Sequence, residues 1–591
     1  ILQMLFLFAS TYNYILFQFK ESLCALLEYA LLALLFTFCF LLFEKKWTRY
    51  LLSFFLFSYN FIVILQFSSF SLQRRFISIT ALENYGEINL LPFDDLHYFY
   101  ILIFFATILS FLIFRIKKFN FKLRHPFYYL FISTSLIGWI FLLVFPFSPL
   151  VSILYTLHGY INSDNEESIY LDNVDIGRLN YMTIDQSKDY PFIKKYIYNE
   201  DIQFPRSETY NAKPNIIHFI VEGLSARTIG CYNKKWKNLT PNIDNFRNKS
   251  MIVKNYFSHT QATYRGIRGQ LSSIYPSFGG SNAIGWASDS SQIPVMELLC
   301  LPHVLNKNGY KTEMWLGCSF DEGMIGQQCL EHFGYQKVND SAQMITQKDL
   351  SNSGLLPDRV VLQSLISNLR NDKKDKPFFY SIYTTQTHAW VNSGKGDKVF
   401  SDGSSETLNT IHNFDYWFGV FIKYFVNSEY FKNTVIVFST DHCHFPSKDY
   451  IGITKNDSDY EPYFFDRVPL IIYDPTHILP DIWDNGRFTS LDLVPTILHL
   501  LEFPNHLNHF LGNSIFSKNV YDGRDFIPFY GNEYLVHYGN KIFQNDWIDS
   551  NHRNASFFRK VIDYQRSIEQ QNRLWRRSFD LEIKIKQTAK P

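Results

Sequence analysis

The stretch TVIVFSTDHCH, residues 434–444, decides how this chain folds. Thr434–Ser439 is a short run of β-branched and apolar residues, the composition of a strand covered on both faces. It gives way at once to Thr440, Asp441, His442, Cys443 and His444, residue types that bind metals or move protons. Working outward, four further runs share the apolar pattern: Ile216–Val221, Thr312–Leu316, Phe378–Tyr383 and Val468–Tyr473. Segments such as Arg265–Ile274 and Leu355–Leu369 lie between them with helical spacing. Strands alternating with helices predict an α/β domain whose mostly parallel sheet is sandwiched by helices.

In such sheets chemistry collects beyond the carboxyl ends of the strands. Ile216–Val221 is followed by Glu222, and Phe378–Tyr383 by Thr384, Thr385, Gln386, Thr387 and His388. A Glu or His at a single strand end is more often a capped or solvated residue. Three such ends in one sheet make a divalent-metal site the better reading, and a set of carboxylate oxygen and imidazole nitrogen suits zinc or manganese over magnesium or calcium. Thr263 stands just before a helix expected over Tyr264–Ser273. Alone it reads as a cap. Beside a metal its hydroxyl becomes a nucleophile.

These residues resemble the sulfatase-type branch of the alkaline phosphatase superfamily. The resemblance runs from about Pro214 to Phe516 through Asn215–Val221 with Glu222, Leu239-Thr-Pro-Asn-Ile-Asp, the Thr263 segment, Ser439-Thr-Asp-His-Cys-His, Ser490-Leu-Asp-Leu-Val-Pro-Thr and Leu511-Gly-Asn-Ser-Ile-Phe. It implies one catalytic metal, manganese or zinc, on Glu222, Thr263, Asp441 and His442, with Thr263 as nucleophile. His388 would contact the transferred phosphate, and His444 is a second candidate for that contact. Sulfatases use Cys or Ser where Thr263 stands, so sulfate-ester hydrolysis is not expected. A membrane anchor ahead of such a domain is similar to lipoteichoic acid synthases and other phosphoglycerol transferases, and also to phosphoethanolamine transferases of lipid A. The implied reaction moves phosphoglycerol from a phospholipid such as phosphatidylglycerol to a glycan or glycolipid. The alternatives are phosphoethanolamine transfer, a sulfatase or phosphodiesterase, and a non-catalytic membrane sensor.

The anchor is read from residues 1–151. Residues 1–155 hold 11 Lys/Arg and 7 Asp/Glu, sparse for 155 positions. Five nearly uncharged windows, Ile1–Phe19, Leu23–Phe43, Tyr50–Phe70, Tyr98–Phe114 and Pro126–Val151, approach the roughly 20 residues a spanning helix needs. Basic residues concentrate in Glu44–Arg49 and Arg115–His125, two crossings apart. By the positive-inside rule these face the cytoplasm, and Ser71–His97 and everything after the fifth window face outward. Glu28, within the second window, is expected to reach the interface or, less often, to be a functional intramembrane acid.

The expected divisions are a transmembrane part at 1–151, a linker at 152–212, a catalytic domain at 213–525 and an extension at 526–591. That places the protein in a bacterial inner membrane, multi-pass, with its catalytic domain on the periplasmic side. The formal net charge of +1 excludes a nucleic-acid coat. The basic stretch Arg559–Arg577 reads as a solvated helix or a lipid contact. Cys318 and Cys329 share one loop region and are a candidate disulfide, and Cys443 is a minor candidate metal ligand.

Overall fold

Thr434–Thr440 lies at the centre of the main sheet, buried along its whole length. The structure is a computed structural model. It describes residues 213–318 except 262 and 275–298, residues 333–340, and most of 355–517. It also describes 204–207, 148–162, the short strands at 194–195 and 526–543, and isolated residues between 24 and 77 and at 344.

The strands of this sheet are β1 (Asn215–Val221), β2 (Met251–Val253), β3 (Lys311–Leu316), β4 (Lys337–Asn339), β5 (Phe378–Thr384), β6 (Thr434–Thr440), β7 (Ile471–Tyr473) and β8 (Ile482–Trp483). Across the sheet they run β8-β2-β7-β6-β1-β5-β3-β4. β6, β1, β5 and β3 are mutually parallel, and the register sets Val221 beside Thr440 on one side and Thr384 on the other. The carboxyl ends of β6, β1 and β5 therefore finish together. β7 is the exception to the parallel rule, running antiparallel to β6 and β2.

Alternation along β1 feeds two cores. Ile216 and Ile220 face one layer with α3 (Thr263–Ser272), α4 (Leu301–Lys307) and α7 (Leu493–Leu500), through Ile267, Leu271, Leu305 and Leu498. Ile217, Phe219 and Val221 face the other, with α2 (Pro241–Arg247), α5 (Asp358–Asn371) and α6 (Glu406–Val426). Along α6, Phe414, Phe418, Phe421 and Phe425 recur on one face, as a 3.6-residue period requires. Phe219 meets Phe418 and Phe421 at ring-centroid distances of 5.3 and 5.1 Å. Each such buried ring contributes on the order of 1.5–3 kcal/mol. Ser405 caps α6 by accepting the Leu408 N–H at 3.3 Å.

The chain divides into two units, Ile1–Glu166 and Glu167–Pro591. In the first, Pro149–Asn162 forms helix α1. Glu28 does not turn outward. It is buried and accepts hydrogen bonds from Tyr59, Ser148 and the Leu150 and Val151 N–H groups at the start of α1. Among the described residues no helix is long and apolar enough to cross a membrane. Most of the five windows lie outside the described residues, as do Arg559–Arg577 and Cys329. In the second unit, Lys194–Lys195 pairs antiparallel with Leu507–Asn508. The strands Phe526–Tyr530, Tyr534–Tyr538 and Lys541–Phe543 form a separate antiparallel sheet.

Candidate metal and nucleophile site

At the end of β1 the chain turns through Gly223, whose φ of +53° suits a residue without a side chain. The turn aims the Gly223 N–H at Asp441 Oδ1, 2.8 Å away at the end of β6. The same oxygen accepts the His442 N–H at 2.8 Å. Thr440 ties the two strand ends together: its hydroxyl accepts the Leu224 N–H at 3.0 Å and donates toward the His442 carbonyl at 2.8 Å. Glu222, Asp441 and His442 are all buried, and one ligand atom from each lies within 4.8 Å of the others.

The hydrogen bonds at this cluster leave ligand atoms pointing inward. His442 Nδ1 donates to the Cys443 carbonyl at 2.7 Å, since a carbonyl only accepts. In the neutral ring Nε2 then carries the lone pair, and it faces Glu222 Oε1 at 3.3 Å and Asp441 Oδ2 at 3.4 Å. Asp441 Oδ2 is buried and accepts no hydrogen bond among the described residues. A lone pair set against two carboxylate oxygens is repulsive unless a cation lies between them. The oxygen, oxygen and nitrogen donors fit a zinc or manganese ion.

The apo electrostatics agree. Burial and the Glu222 charge push the Asp441 carboxyl well above the carboxylate range. Burial raises the Glu222 carboxyl too, but His442 outweighs it and holds Glu222 low. Burial lowers His442, yet the Asp441 and Glu222 charges push it up to about 9. Without a metal, the cluster holds a proton in its place.

Thr263 is the first residue of α3 rather than the residue before it. Its Oγ1 donates to Glu222 Oε2 at 3.0 Å. α3 approaches so closely because of Gly266: a Cβ there would lie 2.2 Å from the Asp441 carbonyl oxygen. Gln270 locks the helix to the β6 end, donating to the Thr440 carbonyl at 2.7 Å and accepting from Ser439 at 2.8 Å.

His388 stands on the loop after β5. Its imidazole is lowered by burial, raised by the charge of Glu222 and lowered by His442, so it shares their field. His444 is buried with its ring stacked on Tyr450, centroids 4.4 Å apart. Its Nδ1 donates to the Phe445 carbonyl at 2.8 Å, and Nε2 is buried with no partner among the described residues. Burial pushes it down to about 4, with His388 and His442 adding to the effect. Cys443 is buried in the apolar core and lies outside the ligand cluster, and burial pushes its thiol up, so the structure does not make it a ligand.

Sequence reasoning missed Tyr383 and Thr387. Tyr383 donates its hydroxyl to Glu222 Oε2, and Thr387 donates to the Glu222 carbonyl oxygen. Tyr383 sits in the buried strand β5 and reads as core.

Residues 214–503 match the sulfatase family model. The fold is similar to that of a lipoteichoic acid synthase from Listeria monocytogenes, at 17% identity and a TM-score of 0.50, over 63% of this chain and 94% of that one. A protein of the alkaline phosphatase superfamily from Vibrio parahaemolyticus is 18% identical with a TM-score of 0.49, over 68% and 95%. A sulfatase from a Pseudoalteromonas species is 15% identical with a TM-score of 0.44, over 60% and 91%.

Proposed function

We propose, from the match of residues 214–503 to the sulfatase family model, that this protein is a membrane-anchored phosphotransferase. It moves phosphoglycerol from a phospholipid such as phosphatidylglycerol to a glycan or glycolipid through a covalent intermediate on Thr263. The observation that carries the reading is the Thr263 hydroxyl, hydrogen-bonded to Glu222 at 3.0 Å inside a buried carboxylate–imidazole cluster. A threonine hydroxyl in that position supports phosphoryl transfer over sulfate hydrolysis.

Glu222, Asp441 and His442, with the Thr263 oxygen, would hold one divalent ion. When bound, such an ion lowers the pKa of the hydroxyl and polarises a phosphoryl oxygen. Glu222 Oε2 orients the Thr263 hydroxyl, and Tyr383 donates to the same oxygen and fixes it. Thr263 Oγ attacks phosphorus, a bond from Oγ to phosphorus forms, the bond to the diacylglycerol oxygen breaks, and the Thr263 hydroxyl proton ends, net, on that oxygen. His388 hydrogen-bonds the phosphoryl group or protonates the leaving oxygen. His444 is a second contact at the same edge. A glycan hydroxyl then takes the group from Thr263.

The apolar windows of residues 1–151 would anchor the chain in a bacterial inner membrane with the domain on the periplasmic side. Tethering keeps the site near a donor confined to the bilayer and raises its effective concentration. Phosphoethanolamine transfer uses the same cluster and differs only in the donor head group.

The test is release of diacylglycerol from head-group-labelled phosphatidylglycerol by the full chain. Thr263→Ala is expected to lower the rate by several orders of magnitude, because it removes one member of a catalytic unit. A rate above roughly a tenth of wild type, a barrier change below about 1.4 kcal/mol, contradicts the covalent step. Parallel labelled phosphatidylethanolamine decides the head group.

A further inference from the structure

The metal cluster, Thr263, Tyr383, Thr387 and His444 are all buried, but the edge of the site beside His388 is not. There Trp390 is half-buried, and its ring lies 5.2 Å from the His388 ring and 4.8 Å from that of Phe445. Trp390 and Phe445 come from different loops, after β5 and β6, and meet at a 50° tilt, so Phe445 backs the indole. The loop carrying Trp390 is fixed: the His388 N–H bonds to the Thr385 carbonyl at 3.1 Å and the Val391 N–H to the His388 carbonyl at 3.0 Å. The Trp390 indole N–H makes no hydrogen bond within the described residues.

We infer that Trp390 is the acceptor subsite, its indole lying against the ring of a sugar whose hydroxyl takes the group from Thr263. This rests on the two-step transfer proposed above. An aromatic wall beside the reacting centre matches a molecule with an apolar C–H face, and a pyranose presents one. Glycerol and phosphate present none. An ammonium head group could lie over the ring, but it offers only donors, as does the indole N–H, and would leave that N–H unused. A sugar has both an apolar face and hydroxyl oxygens that accept. In the second step the sugar oxygen bonds to phosphorus, the bond from phosphorus to Thr263 Oγ breaks, and the sugar hydroxyl proton ends on Thr263. No further reactant is needed.

The test compares two acceptors offered to the full chain with head-group-labelled phosphatidylglycerol: octyl glucoside, which carries a sugar ring, and octyl glycerol, which does not. Trp390→Ala is expected to raise KM for the glucoside about tenfold relative to its effect on KM for the glycerol ether, and Trp390→Phe to recover most of that loss. Equal shifts for both acceptors, or an unchanged glucoside KM, overturn the inference. So does a shift confined to the KM for phosphatidylethanolamine as donor, which assigns the ring to an ammonium. If the wild type releases no diacylglycerol at all, the two-step reading itself falls, a result separate from any of these.

Discussion

Two loops leave the parallel strands on either side of β1 and each carries histidine into the site, yet they are built differently. The loop after β6, residues 441–444, is buried throughout and tied down by hydrogen bonds, with charge concentrated on Asp441 and His442. The loop after β5 is pinned at its root and opens toward its tip. Asp358, the first residue of α5, accepts the Thr385 and Gln386 N–H groups at 3.2 and 3.3 Å. Gln386 returns a bond to the Asp358 N–H at 2.8 Å and donates to Asp397 at 3.0 Å. Beyond this root, His388 and Trp390 are only half-buried. A group that holds an ion gains from rigidity and exclusion of water, because electrostatic interactions strengthen in a dry site. A group that meets substrate needs an open side. One loop is therefore suited to hold charge and the other to contact ligand.

The sharpest way to break this comparison is to damage each loop and measure metal and rate together. Asp441→Asn is expected to lower transfer by about 10³-fold or more, as for loss of one member of a catalytic unit, and to lower bound metal measured by mass spectrometry of the purified protein. His388→Ala is expected to lower the rate by about 10²–10⁴-fold, the range for a general acid, with metal content unchanged. Metal loss in both variants, or in neither, would erase the distinction.

A smaller effect tests the root of the β5 loop. Burial pushes the Asp358 carboxyl up to about 7, and the nearby Asp397 charge adds to this. Its folded value is above its ordinary one, so the stability it contributes is fully present below about pH 4 and is lost as pH rises through about 7. Asp358→Asn cannot ionise. Its urea midpoint relative to wild type is expected to rise between pH 5 and pH 8, and parallel pH profiles for the two proteins would count against a buried acid there.

The smallest effect expected is at Cys443. Cys443→Ala removes a buried sulfur from the apolar core and is expected to cost about 1 kcal/mol in denaturant unfolding, with metal stoichiometry unchanged. Loss of metal would return the thiol to the ligand set.

The central strands and the cluster were legible because both signals are local. An apolar run that ends abruptly in Asp-His, or in Glu, can be read without knowing what lies opposite. Thr263 was legible as a cap or nucleophile, and only the close approach of α3 at Gly266 sets it against Glu222. Tyr383 was not legible, because its role depends on the β1–β5 register, which sets the ends of the two strands side by side. The antiparallel direction of β7 left no trace in composition, since a buried apolar strand reads the same either way. Asp358 was hidden for the same reason as Tyr383: its partners come from a loop 27 and 28 residues further along.

The central claim is a covalent bond between Thr263 and the transferred group. The direct measurement is to mix the full chain with head-group-labelled phosphatidylglycerol in the absence of acceptor, quench in acid, digest and map the label by mass spectrometry. The account predicts the labelled phosphoglycerol on the peptide containing Thr263, and none on Thr263→Ala. Diacylglycerol release at the wild-type rate with no label on that peptide would contradict it.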